Sequence, residues 1–283
     1  MMRDHEWARI LMAVVLTLAL GLALALVVGA LAAPAGAAPA KETSGKSEVD
    51  FSWDGALKPG QKVEIHGING GIRAEPAGGG EAVVTAHKKA RRSDPGKVRI
   101  VAESNSDGVT ICVLYPDRQG RTGDDCDSRH SQHTDDNDVA VDFRVQLPKG
   151  VRLVTHMVNG SIEGHGLASE VVANTVNGSV RLSTSEAAEA STVNGSIETA
   201  IGLRDGKESL ELSTVNGSIV LKVAADAGAE IEASTVNGSM STDFPITVSG
   251  KFGPKSMHGT IGAGGRTVKI STVNGNIRVE RLD

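Results

Sequence analysis

Aromatic residues are scarce in this sequence, in which only 2% of positions are Phe, Trp or Tyr. A large aromatic platform for stacking sugar rings is therefore not expected, and the core must consist of Val, Ile, Leu and Ala. Excess positive charge is also missing, because the formal net charge is −5 at pH 7. A general affinity for nucleic acid is therefore not indicated.

Recognisable catalytic motifs are missing as well. The chain contains no G-x-S-x-G, no H-E-x-x-H and no Cys-His-rich zinc signature. A glycine-rich stretch at 259–265 lacks the Lys-Ser/Thr of a phosphate loop and is interpreted as a turn. The sequence predicts neither an enzyme nor a bound cofactor.

Cysteine is limited to Cys112 and Cys126. Their spacing excludes a C-x-x-C redox site, and in an oxidising compartment we expect one disulfide that ties down the polar loop 116–138. The same loop is rich in His and Asp, but its spacing fits neither an EF-hand nor a closed zinc site. A solvated loop without a metal is expected for the following residues: Asp124, Asp125, Asp127, His130, His133, Asp135, Asp136 and Asp138.

The first 40 residues form a targeting segment. Arg3 and Arg9 precede an apolar run over residues 10–33, and Ala38-Pro39-Ala40 offers an A-x-A cleavage site. The segment is a signal peptide or, because about 20 apolar residues can cross a bilayer, an N-terminal membrane anchor. Both alternatives predict export of the remaining chain to the periplasm, the cell envelope or the medium.

A repeated heptapeptide organises the rest of the chain. Ser-Thr-Val-Asn-Gly-Ser-Ile occurs at 191–197 and 213–219, and close or degenerate copies recur at intervals of about 20 residues. Asn-Gly readily adopts positive φ and marks a sharp change of direction. The predicted turn ladder consists of Asn159-Gly160, Asn177-Gly178, Asn194-Gly195, Asn216-Gly217, Asn237-Gly238 and Asn274-Gly275.

Strands flank each turn. Leu210 and Leu212 alternate with polar residues before Asn216, and Ile219, Leu221 and Val223 alternate with other residues after it. The apolar parity switches across the turn, so the chain cannot run straight through. An antiparallel hairpin repeat and the corner of a parallel β-helix both fit this switch.

An all-β parallel solenoid with coils of about 20 residues is the favoured fold class. A very wide sheet of hairpins would leave one apolar face uncovered, whereas a solenoid buries that face against itself. The Val before each Asn is expected to turn inward at a corner. The predicted organisation is a linker and first strand at 41–62, followed by a solenoid domain at 63–283 with a disulfide-tied insertion at 75–150.

A specific family resemblance follows from two features. The stretch Val-Asp-Phe-Arg-Val-Gln-Leu-Pro-Lys-Gly at 141–150 precedes serial Thr-Val-Asn-Gly-Ser-Ile units. From about Val63 onward the chain resembles the bacterial putative-adhesin family, domain of unknown function 4097. The resemblance implies an exported solenoid-like domain and supplies no catalytic motif. His258 departs from the pattern because it stands where a seventh Asn is expected.

The predicted function is that of an exported, non-catalytic adhesin-like or scaffold protein of the bacterial cell envelope. It would present a Ser/Thr-rich surface to an envelope glycan or protein. A basic run at 87–92 is a further candidate contact for acidic glycans or lipid head groups, although a solvated strand end is favoured. Two alternatives stay open: a carbohydrate-active β-helix enzyme, and an envelope sensor tethered to the membrane through residues 10–33.

Overall fold

The computed structural model describes residues 50–127, 137–201, 209–224, 227–250 and 254–282. The predicted leader and residues 128–136 of the His/Asp loop lie outside these ranges. The described strands are β1 (Phe51–Ala56), β2 (Lys62–His66), β3 (Ile72–Pro76), β4 (Glu81–Lys89), β5 (Arg99–Asn105), β6 (Gly108–Leu114), β7 (Ala140–Leu147), β8 (Arg152–Asn159), β9 (Ile162–Leu167), β10 (Val171–Asn177), β11 (Val180–Thr184), β12 (Ala188–Asn194), β13 (Ile197–Ile201), β14 (Leu210–Asn216), β15 (Ile219–Ala224), β16 (Ala229–Asn237), β17 (Met240–Thr242), β18 (Thr247–Ser249), β19 (Lys255–Ile261), β20 (Arg266–Asn274) and β21 (Ile277–Leu282).

The strands form two sheets, which confirms the all-β class. The first sheet has the order β1-β4-β7-β3-β9-β11-β13-β15-β21-β17, and the second has the order β18-β19-β16-β20-β14-β12-β10-β8-β2-β6-β5. Pairing between repeats is parallel, as between β12 and β14 or between β13 and β15. No helix within the described ranges has the length and apolar character needed to cross a membrane.

Each Asn-Gly joins a strand of the second sheet to a strand of the first. β14 therefore does not pair with β15, and Thr214 lies opposite Thr192 and Thr272. The hairpin alternative, in which Thr214 would face Ile219, does not describe this pairing. One apolar core lies between the sheets, with fully buried residues such as Leu212 and Ile219.

The spatial order of the repeats departs from the order in sequence. The last repeat, β20 and β21, is inserted between β14–β15 and β16–β17. Asn274 therefore lies in register with both Asn216 and Asn237. His258 belongs to β19, which is antiparallel to β16 and places His258 opposite Glu232. His258 does not interrupt the series of Asn residues, because the inserted repeat supplies Asn274 at the position that His258 was expected to fill.

Residues 75–150 supply strands to both sheets. β6 runs parallel to β2, and β7 runs parallel to β3. β4 pairs antiparallel with β7, and β5 pairs antiparallel with β6. The predicted disulfide is present, since Cys112 and Cys126 are joined with a Cα–Cα distance of 5.6 Å. Both cysteines pack with Leu114 in a small cluster separate from the main core.

The residue that turns inward at each Asn-Gly is Thr rather than Val. In five repeats a buried Thr hydroxyl donates a hydrogen bond of 2.9–3.0 Å to a Gly carbonyl of the neighbouring repeat. The Val that follows is half-buried and faces outward, which corrects the expectation that it enters the core. A Thr is preferred because its hydroxyl satisfies a buried carbonyl that a Val would leave without a donor. The donors are Thr175, Thr192, Thr214, Thr235 and Thr272.

The Asn side chains form a continuous row of amide hydrogen bonds. Each Nδ2 donates to the Oδ1 of the neighbouring Asn at 2.8–2.9 Å, in the spatial order 69, 159, 177, 194, 216, 274, 237. The six Asn from 159 onward are exposed, so the row lies on the surface and is not an inward ladder. Its hydrogen bonds are consequently in competition with water.

The glycines after these Asn residues are required by crowding and not by φ. A Cβ on Gly217 would lie 1.9 Å from the carbonyl oxygen of Gly195, and one on Gly195 would lie 2.0 Å from that of Gly178. None of the six repeat glycines has a positive φ. The expected use of positive φ at these turns is therefore wrong, because the constraint is the close approach of stacked backbones.

We predict that Gly217→Ala destabilises the fold by about 3 kcal/mol or more, because its Cβ would overlap backbone that cannot move without breaking the stack. Gly79→Ala is the matched control, since a Cβ there meets nothing within 4 Å. Denaturant unfolding of both variants measures the difference. Equal stability of the two variants would contradict the crowding argument.

A second prediction concerns the Asn row. Asn216 is hydrogen-bonded to Asn194 and to Asn274, whereas Asn237 at the end of the row donates only to Asn274. We expect Asn216→Ala to lower the free energy of unfolding by about 1–2 kcal/mol and Asn237→Ala by about half as much. Urea titration of each variant provides the test, and a larger effect at Asn237 would count against the row.

Candidate functional site

The outer surface of the second sheet carries three parallel columns of side chains, and we call this surface the striped face. The columns arise because strands in register place equivalent residues side by side, about 4.8 Å apart. Counted back from the Asn of each repeat, positions one, three and five residues earlier point outward. This regularity makes the striped face an extended repeated surface in the described part of the chain.

The first column is apolar and half-buried, and the second is small and polar. The third carries Glu in three of the six regular repeats, with Val in two and Lys in one. In spatial order, the columns are Val158, Val176, Val193, Val215, Val273 and Val236; His66, His156, Asn174, Ser191, Ser213, Ser271 and Ser234; and Glu64, Val154, Val172, Glu189, Glu211, Lys269 and Glu232.

The striped face begins with a cluster of two histidines and one glutamate. His66 on β2 lies in register with His156 on β8, and their rings stack with centroids 4.8 Å apart and planes 15° apart. Glu64 Oε1 lies 2.9 Å from His66 Nε2 and 3.8 Å from His156 Nε2. Lys62 Nζ donates to the other carboxylate oxygen, Oε2, at 2.6 Å.

Electrostatics keep this carboxylate ionised. The hydrogen bond from His66, and then that from Lys62, lower the pKa of Glu64 to about 2 against the opposing effect of burial. Its side chain is 16% exposed. The cluster therefore combines an anionic oxygen with two imidazole nitrogens, which is the donor set of a transition-metal site.

Acidic side chains meet further along the striped face. Glu189 and Glu211 lie in register on β12 and β14, and the pKa of Glu189 is raised by burial and then by the charges of Glu211 and Glu170. Glu170 is itself bonded to Arg152 at 2.7 Å. A raised carboxyl pKa is one requirement of a general acid. Glu170, Glu189 and Glu211 line a groove of about 460 Å³ on this sheet surface.

The outer surface of the first sheet is charged in alternation. Arg73 contacts Glu163 at 2.7 Å, Arg181 lies between Glu163 and Glu198, and Glu198 bonds Lys222 at 2.7 Å. The pKa of Glu163 is lowered chiefly by Arg73, and that of Glu198 chiefly by Lys222. Because each charge is compensated by a neighbour, this row stabilises the surface weakly and offers no concentrated charge.

A groove of about 660 Å³ lies at the N-terminal end of that surface. Part of the predicted basic run lines it, but Lys89 bonds Asp142 at 2.7 Å and His87 contacts Asp50 at 3.0 Å. Arg144, also in the lining, is exposed. The basic run therefore forms a strand end held by ion pairs, in line with the favoured interpretation.

The described end of the His/Asp loop has a structural role. Asp138 accepts backbone N–H groups of Arg91, Arg92 and Ser93, and the contacts with Ser93 are the main cause that lowers the pKa of Asp138 to about 2. Asp138 therefore anchors the end of β4. The loop residues His130, His133, Asp135 and Asp136 lie outside the described ranges.

Sequence reasoning missed the grouping of Glu64, His66 and His156. The signal was present, because His66 and His156 both stand three residues before a repeat Asn, at 69 and 159. Aligning the repeats on Asn would have placed them in one row. The same alignment puts Glu189 and Glu211 five residues before their Asn and brings them together.

A pH prediction follows from the lowered pKa of Glu64. Because the folded-state pKa lies below the ordinary value of 4.5, Glu64 stabilises the fold above about pH 4.5, and this contribution is lost as the pH falls toward about 2. Glu64→Gln should therefore be less stable than the wild type at pH 6, with a difference that shrinks by pH 3. Urea unfolding with a chelator present measures this difference. The exposed Glu75→Gln is the control, and an unchanged gap for Glu64→Gln would contradict the prediction.

Comparisons with known proteins gave matches to solved structures and to one family. Two solved structures were similar in part: a "putative cell adhesion protein" from Clostridium sporogenes, at 10% identity over 82% of this chain and 99% of that chain with a TM-score of 0.37, and a "putative adhesin" from Bacteroides fragilis, at 11% identity over 82% and 96% with a TM-score of 0.34. These TM-scores are too low to carry an argument about fold or function. No curated protein matches the chain.

The family comparison is decisive for membership. The model of the family described as Toastrack DUF4097 matches residues 132–280, which is more than half of the chain. The match includes the repeat Asn residues from 159 to 274. The chain belongs to the Toastrack DUF4097 family.

Proposed function

We propose that the protein is an exported, non-catalytic, adhesin-like component of the bacterial cell envelope that binds an extended partner along its striped face. The observation that carries this proposal is the set of three straight columns on one sheet surface. A flat and rigid surface with a half-exposed apolar stripe beside polar stripes suits a partner that lies along many repeats.

The architecture that we propose is a parallel solenoid with an Asn-Gly corner in every coil. Its support is the alternation of strands between two sheets, together with Asn-to-Asn hydrogen bonds at each crossing and Thr-to-Gly hydrogen bonds at five of them. A coil of this kind fixes the spacing of the surface columns by its backbone hydrogen bonds. The partner would therefore meet side chains whose positions are set before binding, which reduces the entropy cost of association.

Export is supported by two features. The Cys112–Cys126 disulfide is typical of an oxidising compartment, and the apolar segment 10–33 with its A-x-A site has the form of a leader. An extended glycan is the partner that we favour, because it would contact the repeated columns in a repeated way. A protein ligand is the second class of partner.

Catalysis is the rival function, and Glu189 with Glu211 is the observation that favours it. A glycosidase needs two carboxyl groups on opposite sides of a bound sugar bond. Here both groups project from adjacent strands of one open sheet, so that a sugar chain would lie over them and not between them. We therefore propose that these residues contribute negative charge to the binding surface.

The test is binding of the full chain, purified in mild detergent, to a panel of envelope and plant polysaccharides. Retention on the polymer and release of new sugar ends are measured together. Val215→Lys on the striped face is compared with Val220→Lys on the first sheet, which makes the same change one corner away on the opposite surface. We expect retention of at least one polymer, about tenfold weaker for Val215→Lys and unchanged for Val220→Lys.

Other outcomes separate the alternatives. New sugar ends that disappear in Glu189→Gln would overturn the non-catalytic proposal. Equal loss of retention in the two Lys variants would remove the striped face as the binding surface. Failure to retain any polymer would contradict a glycan partner and leave a protein as the ligand class to be sought.

A further inference from the structure

We propose that Glu64, His66 and His156 form a binding site for a divalent transition-metal ion of the Zn²⁺ class. This inference goes beyond the proposed function and does not rest on it. The fold brings the three residues together. His156 on β8 stands about 90 positions after Glu64 and His66 on β2, but β2 and β8 are direct neighbours in the second sheet. A bound ion would thus connect the N-terminal strands to the first regular repeat.

The donor atoms converge on one point. One ligand atom from each of Glu64, His66 and His156 lies within 4.8 Å of the other two. In a tetrahedral zinc site with bonds of about 2.0–2.1 Å, the ligand atoms are about 3.4 Å apart. The two distances to Glu64 Oε1, 2.9 and 3.8 Å, lie on either side of that value.

Only a small movement is needed to complete the geometry. His156 has a side chain that is 42% exposed, whereas that of His66 is 23% exposed. Tetrahedral spacing would shorten the Glu64–His156 distance by about 0.4 Å and lengthen the Glu64–His66 distance by about 0.5 Å. The stacked arrangement of the two rings already holds both imidazoles on the outer surface in the same row.

The surroundings suit a metal-bound carboxylate. Lys62 occupies Oε2 and leaves Oε1 directed at the two imidazoles, so that Glu64 would bind through one oxygen. Ligating carboxylates are commonly held in this way by a hydrogen bond from a second residue. On the far side of His66, Cys112 lies in register on β6, and its disulfide fixes the adjacent part of the surface.

Three protein ligands leave at least one coordination position open toward solvent. Two imidazoles and one carboxylate are borderline ligands that favour Zn²⁺ and its neighbours over Ca²⁺ or Mg²⁺, which prefer oxygen ligands. Binding requires neutral imidazoles, so the affinity should fall as the pH is lowered. The open position is available to water or to an anionic group of a molecule on the striped face.

The test uses the full chain and two probes, Zn²⁺ by calorimetry and Co²⁺ by its visible absorption. We expect one Zn²⁺ per chain at pH 7.5 and a Co²⁺ spectrum typical of a four- or five-coordinate site. His156→Gln, a change at an exposed position, should weaken Zn²⁺ binding by about 30-fold or more. His66→Gln should have a similar effect.

His165→Gln is the matched control, because His165 is also an exposed sheet histidine, 3.9 Å from the carboxylate of Glu163, but has no second imidazole beside it among the described residues. Its Zn²⁺ affinity should equal that of the wild type. Zn²⁺ should also raise the Tm of the wild type and of His165→Gln, but not that of His156→Gln.

Two outcomes would overturn the proposal. One is the absence of Zn²⁺ binding at millimolar concentration in the wild type. The other is binding that persists in His156→Gln and is abolished by the double change His130→Gln with His133→Gln, which would assign the ion to the His/Asp loop. Circular dichroism of each variant establishes that the comparison is between folded proteins.

Discussion

The structure depends on how closely the backbones of successive repeats approach one another where the chain crosses between sheets. A Gly carbonyl oxygen there lies so near the next repeat that a Cβ on Gly217 would be 1.9 Å from the carbonyl oxygen of Gly195. The same carbonyl accepts the buried hydroxyl of Thr214 at 2.9 Å. Gly permits the approach, and Thr supplies the hydrogen bond that a buried carbonyl requires.

Because this constraint fixes where the chain crosses between the sheets, the distance of a residue from the crossing determines where its side chain lies on the surface. Once the Thr-to-Gly hydrogen bond and the close backbone contact fix the crossing, the residues before it must alternate between the core and the striped face. Val215 and Ser213 therefore take their places in columns that run the length of the second sheet, although neither contributes to the crossing itself. Surface chemistry can then vary between repeats, as it does where Lys269 stands between Glu211 and Glu232, without affecting the register.

Much of this fold could be predicted from the sequence, because its signals are local and repeated. Period-2 alternation around Asn216 and the recurrence of Asn-Gly indicate strands that change direction, and two cysteines in an oxidising compartment indicate the disulfide. Two expectations failed for physical reasons. Thr, and not Val, faces inward because hydrogen bonding outweighs hydrophobicity at that one position. The glycines are required by stacking, a relation between repeats that a single turn does not reveal.

The order of the repeats could not be derived in the same way. Every copy of the heptapeptide can pair with every other copy, so nothing local specifies that the repeat of Asn274 lies between those of Asn216 and Asn237. In the structure β19 pairs antiparallel with one side of β16, and the final repeat lies on its other side, beside β14. One consequence is that β21, with its charged residues, is an interior strand and not an exposed edge.

The contrast between the two ends of the striped face bears on function. Along the regular repeats the Val column is uniform, and a uniform column selects a partner by its length and repeat more than by a single contact. At the N-terminal end, Glu64, His66 and His156 form a different group, in which two imidazole nitrogens lie 2.9 and 3.8 Å from one carboxylate oxygen. Because uniform columns cannot fix where along the sheet a repetitive partner begins, a distinct group at one end is what could set its register.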